Sequence, residues 1–159
     1  MDRKPLKQTS LCLIVRGDEI LLAMKKRGFG AGKWNGYGGK QHVDEDLETT
    51  AVRETQEEVG VIVAKEDLQK ISRMEFYFDN NPDWDLVVHL YKVTKWKGEP
   101  VETEEMRPQW FKISEIPFDK MWLEDRYWMS RFLADQKFEG TFYYNSDGTA
   151  INNHEIKDI

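Results

Sequence analysis

Glu54, Glu57 and Glu58 are the residues of this chain whose type and spacing most directly permit chemistry. At i, i+3 and i+4 of a helix they project from one side, where three like charges repel. A counter-charge therefore belongs nearby. Hard divalent cations take oxygen ligands, and Mg²⁺ combines carboxylates, waters and phosphate oxygens. A glutamate-rich face is equally what a solvated helix presents, so the triplet alone leaves two readings open. The preceding segment favours the first. Lys25 to Gly39 holds six of the chain's 11 glycines, a density that suits close backbone approach to an anion at the start of the glutamate helix.

The elements that would carry these groups are legible. Ser10 to Arg16 and Glu19 to Met24 are apolar runs joined by Gly17-Asp18, which predicts a β-hairpin. Asp44 to Val59 contains no Gly or Pro. Asp44 or Asp46 can cap its start, and Gly60 follows where a left-handed residue ends a helix. Leu47, Ala51, Thr55 and Val59 form its core-facing stripe. Residues 70–79 and 85–96 read as a second hairpin and Gln109 to Ile113 as a further strand. Glu124 to Gln136 is a second helix burying Tyr127, Trp128, Phe132 and Leu133, and Phe138 to Tyr144 and Thr149 to Glu155 are two last strands. Strands flanking two helices predict an α/β fold with a mixed sheet.

A set of flat side chains suggests a nucleobase pocket. Phe29, Phe76, Phe78, Met106 and Trp122 supply walls, and Asn35 both donates and accepts. Phe76 and Phe78 alternate along one strand and so share a face. Glu124 and Asp125 are adjacent acids beside Trp122. Placed in such a pocket, one of them would hold a proton and donate while the other accepts.

Gly39, Glu45, Arg53-Glu54, Glu57-Glu58 and Gly60-Val61 match every fixed position of GX5EX7REUXEEXGU, where U is apolar, so the chain resembles the Nudix hydrolases. The one departure is Thr55 at the first U, whose hydroxyl then needs an acceptor such as the carbonyl four residues back. The resemblance implies an α/β/α sandwich with a mixed β-sheet between helices, spanning 1–159 as one domain. It implies Mg²⁺ as cofactor, with Mn²⁺ as an alternative, held by Glu54, Glu57, Glu58, Glu105 and the Gly38 carbonyl. Arg53 orients the glutamates. Glu58 and Glu105 are the two candidates for the general base.

The run Met24 to Gly39, with Glu105 to Pro108 and Ile116 to Trp122, resembles the branch of the family acting on oxidised purine nucleoside triphosphates. That likeness implies hydrolysis of 8-oxo-dGTP, with 2-oxo-dATP as a second candidate, to the monophosphate and pyrophosphate. It implies a substrate site of Ser10, Lys25, Phe29, Asn35, Tyr37, Gly38, Gly39, Lys40, Phe76, Phe78, Met106, Trp122, Glu124 and Asp125. Two positions depart from the branch. Glu124 replaces an aspartate and is one methylene longer, which leaves it free either to read the base or to lean out. Ser10 replaces a threonine. A methylated purine triphosphate, a dinucleoside polyphosphate, ADP-ribose, or binding without hydrolysis are the alternatives.

Composition narrows the partners. At 159 residues and a net charge of −6, the chain is acidic, which argues against coating a nucleic-acid polymer. Its apolar runs are too short to span a bilayer. Cys12 is the only cysteine and the N-terminus MDRKPLKQTS lacks an apolar leader core, so a cytoplasmic monomer acting on a small nucleotide is expected.

Overall fold

A computed structural model describes residues 5–159, so the first four residues of the N-terminal stretch lie outside the described residues. The chain runs β1 (Lys7–Arg16), β2 (Glu19–Lys25), β3 (Trp34–Asn35), α1 (Leu47–Val59), β4 (Gln69–Phe78), β5 (Leu86–Val93), β6 (Met106–Lys112), α2 (Asp125–Leu133), β7 (Phe138–Tyr144) and β8 (Ile151–Asp158). One sheet takes all eight strands in the order β3-β2-β1-β5-β4-β7-β8, with β6 also paired to β2. It is mixed: β1–β5 and β4–β7 are parallel and the remaining pairs antiparallel.

The near-continuous apolar run of β1 follows from burial on both faces. Cys12 and Ile14, with Leu21 and Ala23 of β2, pack with Ala51 and Val59 of α1. Leu13 and Val15, with Ile20 and Leu22, pack with Trp128 and Phe132 of α2. A helix on each face completes the α/β/α sandwich.

α1 begins at Asp46, whose side chain accepts the Thr49 N–H, and ends at Gly60 with φ 74°. Its stripe shifts from the expected one: Thr50 is buried with Ala51, Thr55 and Val59, while Leu47, at the fraying first turn, is half-buried. The Thr55 hydroxyl finds no partner. The carbonyl four residues back, Ala51, is instead approached by the Cys12 thiol at 4.0 Å. In α2 the buried face is Asp125, Trp128, Met129 and Phe132. Tyr127 is exposed, stacked on His154 at 4.3 Å, and Leu133 is half-buried. The helix is rotated so that its first carboxyl, rather than Tyr127, enters the interior. No helix among the described residues is long and apolar enough to cross a membrane.

Candidate active site

The cavity lies on the α2 face of the sheet, between β1, β4 and β5, the glycine loop that follows β2, and the first turn of α2. Its volume is about 210 Å³. At one end stands Glu58 and at the other Glu124 and Asp125.

Two glycines make the Glu58 end possible. A Cβ on Gly38 would lie 1.8 Å from the Ser10 carbonyl oxygen, and one on Gly39 would lie 2.5 Å from the Glu54 carboxyl carbon. No side chain can occupy Gly38 while the loop lies against β1, and one at Gly39 would have to push the Glu54 carboxyl aside. That closeness lets Gly38 N–H donate to Glu58 Oε2 at 3.1 Å and Ser10 N–H to the Gly39 carbonyl at 2.9 Å.

Arg53 organises the other carboxylates. Its Nε and Nη2 grip Glu45 at 3.1 and 2.6 Å, and Nη1 donates to Glu54 at 2.8 Å and Glu57 at 3.3 Å. These bonds, with the His42 N–H, hold Glu45 down at about 2. Glu58 has no such partner. Burial pushes it up to about 8 against the Gly38 hydrogen bond, and the nearby Glu54 and Glu105 charges add to the rise. The Lys25 charge offsets only part of that rise. Among the described residues no three His, Cys, Asp or Glu side chains stand together as a ready-made metal cluster, because Arg53 draws Glu54 and Glu57 to itself. An all-oxygen donor set around a buried, charge-starved Glu58 nonetheless fits a hard divalent ion.

Glu105 is not among the residues that line the cavity, and its side chain is exposed. It is bound by Arg27 Nε at 3.1 Å, and Lys26 N–H donates to its backbone carbonyl at 2.9 Å. Lys26 also pairs with Glu102, so the glycine loop is strapped to the acidic stretch preceding β6.

At the aromatic end, Phe29 packs between Trp84, Trp122 and Phe78, with centroids at 4.7, 5.1 and 6.2 Å. Asn35 Oδ1 accepts the Gly36 N–H at 2.8 Å. Glu124 and Asp125 are both buried, and Glu124 turns inward, where its Oε2 accepts the Tyr144 hydroxyl. Burial raises both carboxyls, and the Glu124 charge raises Asp125 further. Ser10 Oγ and Trp128 Nε1 are buried, belong to residues that line the cavity, and have no hydrogen-bond partner in the protein.

Of the expected substrate residues, Ser10, Lys25, Phe29, Asn35, Gly38, Gly39, Phe76, Phe78, Met106, Trp122, Glu124 and Asp125 line the cavity. Two do not. Tyr37 bridges to Cys12 on the opposite face, fully buried, its hydroxyl accepting Ile14 N–H at 2.7 Å and donating to the Leu21 carbonyl at 3.2 Å. Alternation along the strand places it under α1, away from the pocket. Lys40 is exposed and contributes its backbone carbonyl to Arg53 at 3.2 Å. Trp128 and Tyr144 also line the cavity without having been expected there, and Trp84 backs Phe29 from outside its lining. Tyr144 carried a usable signal: Phe142 and Tyr144 share the alternation of Phe76 and Phe78, with which they pair in register.

A mixed-sheet sandwich with this glutamate helix and glycine loop defines a Nudix hydrolase. The chain belongs to that family, its NUDIX domain matching residues 5–132. Members use divalent metal ions. The chain is 41% identical over 153 residues to a zebrafish (Danio rerio) protein named oxidized purine nucleoside triphosphate hydrolase, covering 96% of each. It is also 41% identical over 143 residues to the mouse (Mus musculus) protein of that name, covering 90% of each. Among solved structures, a MutT protein from Bacillus halodurans superposes with a TM-score of 0.83 at 26% identity, over 95% of this chain and 97% of that one.

Proposed function

We propose that this protein hydrolyses oxidised purine nucleoside triphosphates, 8-oxo-dGTP foremost and 2-oxo-dATP second, to the monophosphate and pyrophosphate, in the cytoplasm and with Mg²⁺ or Mn²⁺. The observation that carries this reading is one cavity with a buried carboxyl pair at its aromatic end and Glu58 at its glycine end. Such a cavity takes a base at one end and phosphates at the other.

Glu54, Glu57 and Glu58 would hold the metal, with Glu105 reaching it on release from Arg27. The chemistry supplied by the bound ion is neutralisation of phosphate oxygens and acidification of a water. Glu58 would accept a proton from a water attacking phosphorus, and the P–O bond between the nucleoside monophosphate and pyrophosphate portions would break. Arg53 keeps Glu54 and Glu57 aligned. Lys25, on the cavity wall, meets phosphate charge, and the bare backbone at Gly38 and Gly39 admits it closely. Phe29, Phe76, Phe78, Met106 and Trp122 enclose the purine while Asn35, Glu124 and Asp125 face its edge.

A panel of 8-oxo-dGTP, 2-oxo-dATP, dGTP, a methylated purine triphosphate, a dinucleoside polyphosphate and ADP-ribose, assayed with Mg²⁺ and with chelator, tests this directly. The oxidised triphosphates should give the highest kcat/KM, with pyrophosphate as product and no turnover in chelator. Preference for any other member of the panel refutes the assignment.

A further inference from the structure

The carboxyl pair has a direct partner in the cavity wall. Tyr144, the last residue of β7, is buried, stacked on Phe78 at 5.2 Å and packed edge-on against Trp122 at 6.0 Å. Its hydroxyl makes two bonds to one residue. It accepts the Glu124 N–H at 3.3 Å and donates to Glu124 Oε2 in a short contact.

A phenol has a single proton to give. With that proton directed at Oε2 and one lone pair taken by the Glu124 N–H, the hydroxyl is arranged for an ionised Glu124. Protonating Glu124 at that oxygen would strand the Tyr144 proton in the interior, where an unmade hydrogen bond is costly. Two adjacent buried carboxyls do not both ionise, so the remaining proton falls to Asp125. The other charges acting on the pair agree. Lys33, from the glycine loop, favours a negative Glu124, while Asp125 feels the Glu124 charge more strongly than that of Arg126.

We propose that Tyr144 is a positioning residue for base selection: it holds Glu124 as acceptor and leaves Asp125 as donor, so that the pocket reads one order of hydrogen bonds. The extra methylene of Glu124 is what carries its carboxylate to the hydroxyl. A 6-oxopurine edge presents an acceptor at position 6, and a 6-aminopurine edge presents a donor there. A fixed donor–acceptor order satisfies one of these and leaves a buried polar group unpaired with the other. With 8-oxo-dGTP foremost in the hydrolase reading, the class that this order satisfies is the 6-oxopurine, an oxidised guanine nucleotide. This inference rests on the hydrolase reading above.

The test compares kcat/KM for 8-oxo-dGTP and 2-oxo-dATP in the wild type, Tyr144→Phe, Glu124→Gln and the double variant. Loss of the hydroxyl frees the proton to sit on either carboxyl, so in Tyr144→Phe the ratio should fall toward one by roughly tenfold, chiefly through KM. In the Glu124→Gln background, Tyr144→Phe should change the ratio by less than about twofold, since the two act as a unit. An unchanged ratio, or effects that simply multiply, overturns the proposal. Carboxyl-carbon NMR of the wild type at neutral pH gives a second readout that needs no variant. It should show Asp125 protonated and Glu124 ionised, and the reverse distribution overturns the proposal. A wild type that converts neither nucleotide to its monophosphate fells the hydrolase reading and this inference together. Turnover with an unmoved ratio fells only the role of Tyr144.

Discussion

Glu58 and Asp125 mark the two ends of the cavity, and substituting each should disturb a different step. Glu58 accepts from Gly38 N–H, so Glu58→Gln keeps the shape and an acceptor oxygen while removing the base. Pyrophosphate release should fall by roughly 10²–10⁴-fold with the far-UV spectrum unchanged. Undiminished turnover would remove Glu58 from the chemistry. Asp125→Ala removes the proposed donor from the aromatic end, about which the phosphates are indifferent. The preference for 8-oxo-dGTP over 2-oxo-dATP should drop by roughly tenfold, more than kcat on the better substrate. An equal loss on both nucleotides would place Asp125 in folding rather than in reading. The sequence showed these residues because both are adjacent or near-adjacent carboxyls, a pattern local in the chain. It did not show that Tyr37 leaves the pocket, because side-chain parity depends on its bridge to Cys12, 25 positions upstream.

At the scale of elements, α1 needs its stop as much as its carboxylates. Gly60 lies at φ 74° immediately after the turn that carries Glu57 and Glu58, and an added Cβ would meet Val101 Cγ2 at 2.5 Å. Gly60→Ala should therefore cost at least about 1 kcal/mol, read as a lower urea midpoint at unchanged slope. A midpoint equal to wild type would mean that the helix end relaxes freely. Both helices, both hairpins and the glycine loop were legible, since caps, turns and periodicity are written within a few residues of each element. Strand order was not. The parallel pairing of β1 with β5 and of β4 with β7 joins segments separated by whole elements, and it is that pairing which sets Tyr144 opposite Glu124 and Trp84 against Phe29. The rotation of α2 that exposes Tyr127 and buries Asp125 has the same non-local origin, because the apolar spacing allowed either face inward.

For the whole molecule, the buried acids turn the site into a source of pH-dependent instability that metal should relieve. Glu58 is pushed from its ordinary 4.5 up to about 8, and Glu124 and Asp125 are also raised, so the folded protein binds protons that the unfolded chain has released. Stability from these groups is full below their unfolded values and is lost as pH climbs through the folded ones. His89 works in the opposite direction. Burial lowers it from 6.5 to about 4, so its contribution is lost only as pH falls below 6.5. Between pH 6.5 and pH 8 the raised acids therefore act without that opposition, and the chelated protein should show a falling Tm. Under the proposed metal assignment Mg²⁺ would select ionised Glu58, so saturating Mg²⁺ should raise Tm more at pH 8 than at pH 6.5 and flatten the slope. Glu58→Gln should remove both the Mg²⁺ shift and the part of the slope that Glu58 supplies. Thermal melts in chelator and in Mg²⁺ at the two pH values check this. A Tm that is level or rising in chelator, with equal Mg²⁺ shifts at both pH values, would show that Glu58 is neither starved of charge nor bound to the metal.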